Sequence, residues 1–286
     1  MRRTRSETET KSEEGETGRP IVVGHRGAPR DRVENTIASF EEAIRQGAEA
    51  LECDVRVSRD GAALLFHDRS LERLAARTGT IEDMDAAEAL SLRLRAPRRP
   101  EARVARLDAL LDLADRRRTA VAIEVKSPQG PAEMPPRERR RRTAIAVLEA
   151  VRRHRRPERH RLISFDLDLL EEIAARRSPA PLGAIFDRPP SPAARRRAVA
   201  LGSLLVLHHG LLEKPAVARW VARTRLPVWV YAIDSRRAAE RTAADARRFG
   251  CRVAAWISNC PGTLRARLGK TDAAPARARR VRARST

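Results

Sequence analysis

Short apolar runs recur along this chain, most of them followed, after a polar turn, by a stretch with helical spacing. The first, Pro20 to Val23, ends in Gly24, His25, Arg26 and Gly27, which predicts a buried strand that delivers His25 and Arg26 at its C-terminal end. A helix follows, capped by Asn35 or Thr36, with Ile37, Phe40, Ala43 and Ile44 on one face and Gly47 as its stop. In the next run Leu51, Cys53, Val55 and Val57 alternate with Glu52, Asp54 and Arg56. Side chains two apart on a strand share a face, so Glu52 and Asp54 point the same way. Arg59, Asp60 and Gly61 supply turn chemistry, a second apolar run covers Ala62 to Phe66, and His67 and Asp68 stand where it ends.

From Arg69 to about Arg106 the pattern is short and irregular, as expected of an insertion over one end of the fold. Leu107 to Arg116 is helical. Ala120 to Lys126 reads as a strand with Glu124 and Lys126 on one face and Ile123 and Val125 on the other, and an arginine-rich helix runs from about Arg137 to Arg153. Strands at Arg161–Ser164, Leu182–Phe186, Ser203–Leu207, Pro227–Ile233 and Arg252–Ile257 then alternate with helices. This gives eight parallel strands, and βα units in that number close into a barrel. An open doubly wound sheet is the alternative, but no GxGxxG follows the first strand. In a barrel the C-terminal strand ends form the active site, so His25, Arg26, Glu52, Asp54, Glu124 and Lys126 should lie together.

Residues 1–19 are polar and charged, with nothing to bury, and are expected to be disordered, as is the basic tail 269–286; the barrel should occupy 20–268. The net charge of +21 is carried almost wholly by arginine. Such a field attracts nucleic acid, anionic membrane surfaces or phosphorylated small molecules. The basic runs at Arg137–Arg161 and beyond Lys270 have no interleaved aromatics to stack bases, which argues against nucleic-acid binding as the main task and leaves weak membrane-surface contact open. Cys53, Cys251 and Cys260 are odd in number without CxxC spacing, against a disulfide framework or a zinc site. The N-terminus has no apolar signal segment and no run approaches a membrane span, so a soluble cytoplasmic protein is expected.

An isolated ExD on a strand is more often the wet face of an edge than a ligand pair. Here a third carboxylate, Glu124, and two histidines accompany it. Three carboxylates around a divalent cation, flanked by His25, His67, Arg26 and Lys126, suit hydrolysis of a phosphate diester, with one histidine taking a proton and the other giving one.

These residues also carry a resemblance. VVGHRGA at Val22–Ala28, ENT at Glu34–Thr36, ECDVRVSRDG at Glu52–Gly61, HD at His67–Asp68 and IEVK at Ile123–Lys126 resemble the glycerophosphodiester phosphodiesterase family, with ISFD at Ile163 and VWVYAID near Trp229 extending the match. The resemblance implies a TIM (β/α)8 barrel with a small insertion after the second strand. It implies that Glu52, Asp54 and Glu124 bind Mg²⁺ or Ca²⁺ and that His25 and His67 are the acid and base pair. Arg26 and Lys126 would hold the phosphate, and Glu34 would orient the site or the glycerol hydroxyls. The implied reaction releases sn-glycerol 3-phosphate and an alcohol from a glycerophosphodiester. A lysophospholipase D-type activity on the same site is the near rival, which an apolar groove beside the insertion would favour; a non-catalytic basic protein is the distant one. The chain departs from the pattern at Val33, in place of a proline, at Ser58 and Arg59, at Leu74 and Ala75, and at Ser258 and Asn259, in place of a Thr-Asp before Pro261. Among other candidates, Trp229 and Trp256 read as barrel packing and His154 and His160 as surface residues. His208 and His209 end a predicted strand and could serve either structure or substrate.

Overall fold

Eight parallel strands close on one another. They are β1 (Ile21–His25), β2 (Ala50–Val57), β6 (Ala120–Val125), β7 (Arg161–Ser164), β8 (Leu182–Phe186), β9 (Leu204–His208), β10 (Val228–Tyr231) and β11 (Val253–Ser258). Each pairs with the next, and β1 pairs with β11 to complete the ring, with Ile21 beside Ala255 and Gly24 beside Ser258. The computed structural model describes residues 19–129 and 134–268. The tail 269–286 lies outside the described residues, as does residues 1–18 of the N-terminal tail. Arg19 is tied to Glu49 by a two-pronged ion pair.

Helices between the strands cover the barrel. Thr36 rather than Asn35 caps α1 (Ile37–Arg45), its hydroxyl accepting from the Ser39 N–H, and leaves Asn35 free for the site. The segment after β2 turns back through β3 (Ala63–Leu65), which runs antiparallel to the outer half of β2, with Val55 opposite Leu65. It continues through α2 (Glu72–Ala75), α3 (Ala86–Ser91) and a two-stranded hairpin of β4 (Arg93–Leu94) and β5 (Ala102–Arg103). This insertion has a core of its own, in which Leu64, Phe66, Leu71, Leu74, Ile81 and Leu94 pack with Val33. The two departures Val33 and Leu74 are therefore apolar positions of that core. The remaining helices are α4 (Leu107–Arg117), α5 (Pro136–Arg152), α6 (Leu167–Ala175), α7 (Pro192–Leu201), α8 (Pro215–Thr224), α9 (Arg236–Phe249) and α10 (Pro261–Leu268).

Two layers of apolar side chains hold this together. Between strands and helices lie residues such as Leu51, Cys53, Ile123, Leu162, Leu205 and Trp256. Inside the barrel Val23, Ala50, Ala122, Ile163, Ile185, Val206, Trp229 and Ala255 fill the interior. Trp229 and Trp256 are both packed, on opposite faces of the wall. Burial of this kind contributes on the order of 1.5–3 kcal/mol for each large side chain. No described helix is long and apolar enough to cross a membrane.

One expectation fails. His154 and His160 are buried, at 9% and 1% exposure, and are not surface residues. His154 sits against Asp108, Asp112 and Asp115 of α4, 3.4–3.8 Å away. The Nδ1 of His160 accepts from the Val121 N–H at 3.3 Å, and burial pushes its pKa down to about 4, so it is neutral. Both partners come from segments about 40 residues earlier, which the local arginine-rich pattern conceals.

Candidate active site

The inward positions that fill the barrel continue upward as polar ones. Two residues beyond Val23 stands His25; beyond Ala50 come Glu52 and Asp54; beyond Ala122 come Glu124 and Lys126. The parallel register sets His25 beside Glu52 and Asp54 beside Glu124. His25, Glu52, Asp54, Glu124 and Lys126 therefore meet at the C-terminal mouth, as the alternation implies.

Oxygens of Glu52, Asp54 and Glu124 lie within 4.8 Å of one another, all three side chains buried. Cations hem them in. Lys126 Nζ pairs with Asp54 Oδ1 at 2.7 Å and also with Glu124. Arg26 Nε pairs with Asp54 Oδ2 at 3.0 Å, and the Arg26 N–H donates to Glu52 Oε2 at 2.9 Å. Asn35 Nδ2 donates to Asp54 Oδ2 at 2.8 Å while its Oδ1 accepts from the Asp54 N–H. Burial, reinforced by the Asp54 charge, pushes the Glu52 carboxyl up to about 8 and that of Glu124 to about 7. Burial also presses Asp54 upward, but Lys126 and Arg26 outweigh it and hold Asp54 below the usual carboxylate range. Three hard oxygen donors that cannot all ionise at neutral pH without added positive charge fit a divalent cation, and this triad could hold one.

The turn after β1 brings Arg26 in by positive φ at both Arg26 (+53°) and Gly27 (+89°). Gly27 has no alternative, since a Cβ there would lie 2.5 Å from the Ser39 carbonyl carbon. Arg26 Nη1 donates to Glu34 at 3.0 Å, and Arg73 clasps the same carboxylate at 2.6 and 3.0 Å. Glu34 thus faces two guanidinium groups and is not among the residues lining the pocket.

The two histidines are held differently. His67 Nδ1 is 2.7 Å from Asp68 Oδ1, and Asp68 is gripped in turn by Arg73 at 2.5 Å. His25 Nδ1 is 2.7 Å from Asn259 Oδ1, a neutral partner beyond the end of β11. The Nδ2 of Asn259 donates to Asp234 Oδ2 at 2.9 Å and its N–H to Asp234 Oδ1 at 2.8 Å, which fixes the amide with its oxygen toward His25. His25 then carries its proton on Nδ1 and turns a bare Nε2 inward, 3.8 Å from Glu52. Burial lowers the pKa of both histidines, with Arg26 adding to the effect on His25.

Asp68, Arg73, Asn259 and Asp234 were not singled out by the sequence as site residues. The HD motif and the Ser258–Asn259 departure were the signals available. Behind His67, Arg56 donates twice to the His67 carbonyl and pairs with Glu82.

Between these groups lies a pocket of about 130 Å³. One wall is His25, Arg26, Glu52, His67, Glu124 and Lys126; the other is Ile163, Phe165, Ile185, Val206, Tyr231 and Ile257. Phe165 is 45% exposed and meets Tyr231 edge to face, ring centroids 6.4 Å apart. The apolar wall lies across the mouth from the insertion, not beside it. His208 packs its ring on His209 and on Tyr231 and its Nδ1 accepts from the Gly210 N–H, outside the pocket lining.

A closed parallel barrel thus carries clustered carboxylates, paired cations and two histidines at its C-terminal mouth, where barrel enzymes place their active sites. Residues 25–273 match the model of the glycerophosphoryl diester phosphodiesterase family, and the chain belongs to that family. A Mycobacterium tuberculosis protein named "Probable glycerophosphodiester phosphodiesterase 1" is 44% identical over 71 residues, 25% of this chain and 26% of that one. A glycerophosphodiester phosphodiesterase of Caldanaerobacter subterraneus is 35% identical over 68 residues, 24% of this chain and 28% of the relative. Sequence similarity thus spans about a quarter of the length of these relatives. The crystal structure of glycerophosphodiester phosphodiesterase from Agrobacterium tumefaciens is similar at 25% identity with a TM-score of 0.65, covering 87% of this chain and 100% of the other. An Oleispira antarctica phosphodiesterase in complex with the product sn-glycerol-3-phosphate shares the fold at 22% identity and a TM-score of 0.73, over 87% of this chain and 97% of that one.

Proposed function

We propose that this protein hydrolyses glycerophosphodiesters to sn-glycerol 3-phosphate and an alcohol, with Mg²⁺ or Ca²⁺ held by Glu52, Asp54 and Glu124. The observation that carries this reading is the buried carboxylate triad, of which Glu52 and Glu124 line one pocket with His25, His67 and Lys126. The product complex of the Oleispira relative supports glycerol 3-phosphate as the retained fragment.

A bound divalent cation would draw charge from the phosphoryl oxygens and so ease attack at phosphorus. Lys126 and Arg26 bind the remaining phosphate oxygens, and Glu34, held between Arg26 and Arg73, orients Arg26. His25 presents a bare Nε2 because its Nδ1 donates to Asn259, and it takes the proton of the attacking hydroxyl. His67 leans on the Asp68 carboxylate, which stabilises its charged form, and gives a proton from Nε2 to the departing alkoxide. The apolar wall around Phe165 and Tyr231 receives the alcohol.

A second reading is hydrolysis of a lysophospholipid, whose chain would lie along Phe165 on this wall, across from the insertion and not in the groove beside it that this reading was expected to use. Release of glycerol 3-phosphate from glycerophosphocholine, measured with Mg²⁺, with Ca²⁺ and with chelator, tests the first reading. Cation-dependent release that is lost in Glu52→Gln and His25→Ala is the expected result. Absence of release under every condition, with turnover of lysophosphatidylcholine, would replace it with the second. A cyclic phosphate appearing before glycerol 3-phosphate would identify the substrate's own 2-hydroxyl as the nucleophile.

A further inference from the structure

The reaction above uses only the upper end of the barrel. At the lower end, where α4 descends into β6 and the segment after α5 descends into β7, is a cavity of about 730 Å³ lined by Asp115, Arg116, Arg118, Arg155, Arg156 and Arg159. We propose that it is a binding site for a small anion bearing several phosphates, separate from the catalytic pocket.

The chain is rich in arginine throughout, so number alone means little. What sets these five apart is that they line one concavity. All are exposed, and among the described residues none has a side-chain hydrogen bond or ion pair. Three nearby arginines are tied down: Arg153 to Asp108, Arg152 to the carbonyls of Arg176 and Arg177, and Arg161 to the carbonyls of Glu158, Arg159 and His160. The single acid in the lining, Asp115, is already engaged by buried His154 at 3.4 Å. Two elements thus converge to leave unpaired guanidinium groups around one concavity, where they repel one another until an anion enters.

A guanidinium offers parallel N–H donors that match two phosphate oxygens at once. The volume lies in the range of small-molecule sites, ample for a chain of phosphates. No aromatic ring lines the cavity, so nothing would stack a base, and recognition rests on phosphate charge and spacing. Concavity favours a compact polyanion over the flat face of a bilayer.

The test is binding of inorganic tripolyphosphate to the full chain by titration calorimetry and by thermal shift, in chelator, at about 0.15 M salt. The triple variant Arg155→Ser, Arg156→Ser and Arg159→Ser is expected to weaken binding by roughly tenfold or more. The pair Arg116→Ser and Arg118→Ser, from the other element, should weaken it as well, so that loss does not hinge on one variant's folding. His25→Ala, in the catalytic pocket, and Arg237→Ser with Arg241→Ser, exposed elsewhere, should bind like the parent. Equal binding by the triple variant, or loss in His25→Ala, would overturn the proposal. So would capture of anionic vesicles or duplex DNA by these arginines without any binding of tripolyphosphate.

Discussion

Exchanging the two residues behind His25 tests how the site is held. Asp234 receives the Asn259 N–H and Nδ2, as well as Arg30 Nη2 at 3.2 Å, so the pair joins one carboxylate to one amide. Burial presses Asp234 upward, but Asn259 and Arg30 hold it below the usual carboxylate range, so it is ionised. Asn259→Asp alone puts two carboxylates in contact. At an effective dielectric of about 20 their repulsion is about 4 kcal/mol at 4 Å, an upper bound because the Asp234 side chain is 27% exposed. We take about 2 kcal/mol, or roughly thirtyfold in kcat/KM if the cost falls on the orientation of His25. Asp234→Asn alone leaves two amides and loses charge-assisted bonds, for about 1–1.5 kcal/mol. The double exchange restores one carboxylate and one amide, now with the carboxylate toward His25. It should recover most of what the singles lose, a coupling of roughly 1–3 kcal/mol. Kinetics of glycerophosphodiester hydrolysis for all four proteins, with thermal stability alongside, measure it. Losses that simply add in the double variant would refute the orienting role of the pair.

Three further outcomes are expected. The cation-free protein should lose stability as pH rises from about 6.5 toward 8: Glu52 and Glu124 have raised pKa values when folded, so the folded state holds protons that the unfolded chain has released, while below that range the lowered pKa values of His25, His67 and His160 act in the opposite sense. Melting in chelator across that range checks this, and Mg²⁺ or Ca²⁺ should offset the loss, most at the alkaline end. Gly27→Ala should cost about 2–5 kcal/mol in urea unfolding, because strain at positive φ adds to a clash with the Ser39 backbone, whereas Gly61→Ala, with φ +91° and open space around it, should cost about 1–2 kcal/mol. Similar values for the two would sink the close-approach argument. Phe165→Ala should raise KM for substrates with bulky alcohols such as choline several-fold while sparing the smallest, glycerophosphoethanolamine; uniform effects would remove Phe165 from the alcohol side.

Much of the site is legible because strand geometry is local. Parity alone puts Glu52 with Asp54 and Glu124 with Lys126 on single faces, and parallel pairing of consecutive strands does the rest. What escapes the sequence depends on contacts between distant segments. The partner of His25 lies 234 residues away, Arg73 reaches Glu34 from within the insertion, and the acids that bury His154 are on α4. The insertion's own core was hidden for a related reason, since its apolar residues are spaced for packing against one another and Val33 and follow neither helical nor strand periods.

Closure of the ring by β1 against β11 gives the chain a built-in order of events. The strand that carries His25 is made 234 residues before the amide that aims it, so a chain that stops short of Asn259 can display His25, Glu52 and Lys126 and yet lack the partner that directs the histidine. Activity in such a molecule reports completion: a ribosome-stalled series should stay silent until Asn259 has emerged and β11 has docked, and then turn on in one step.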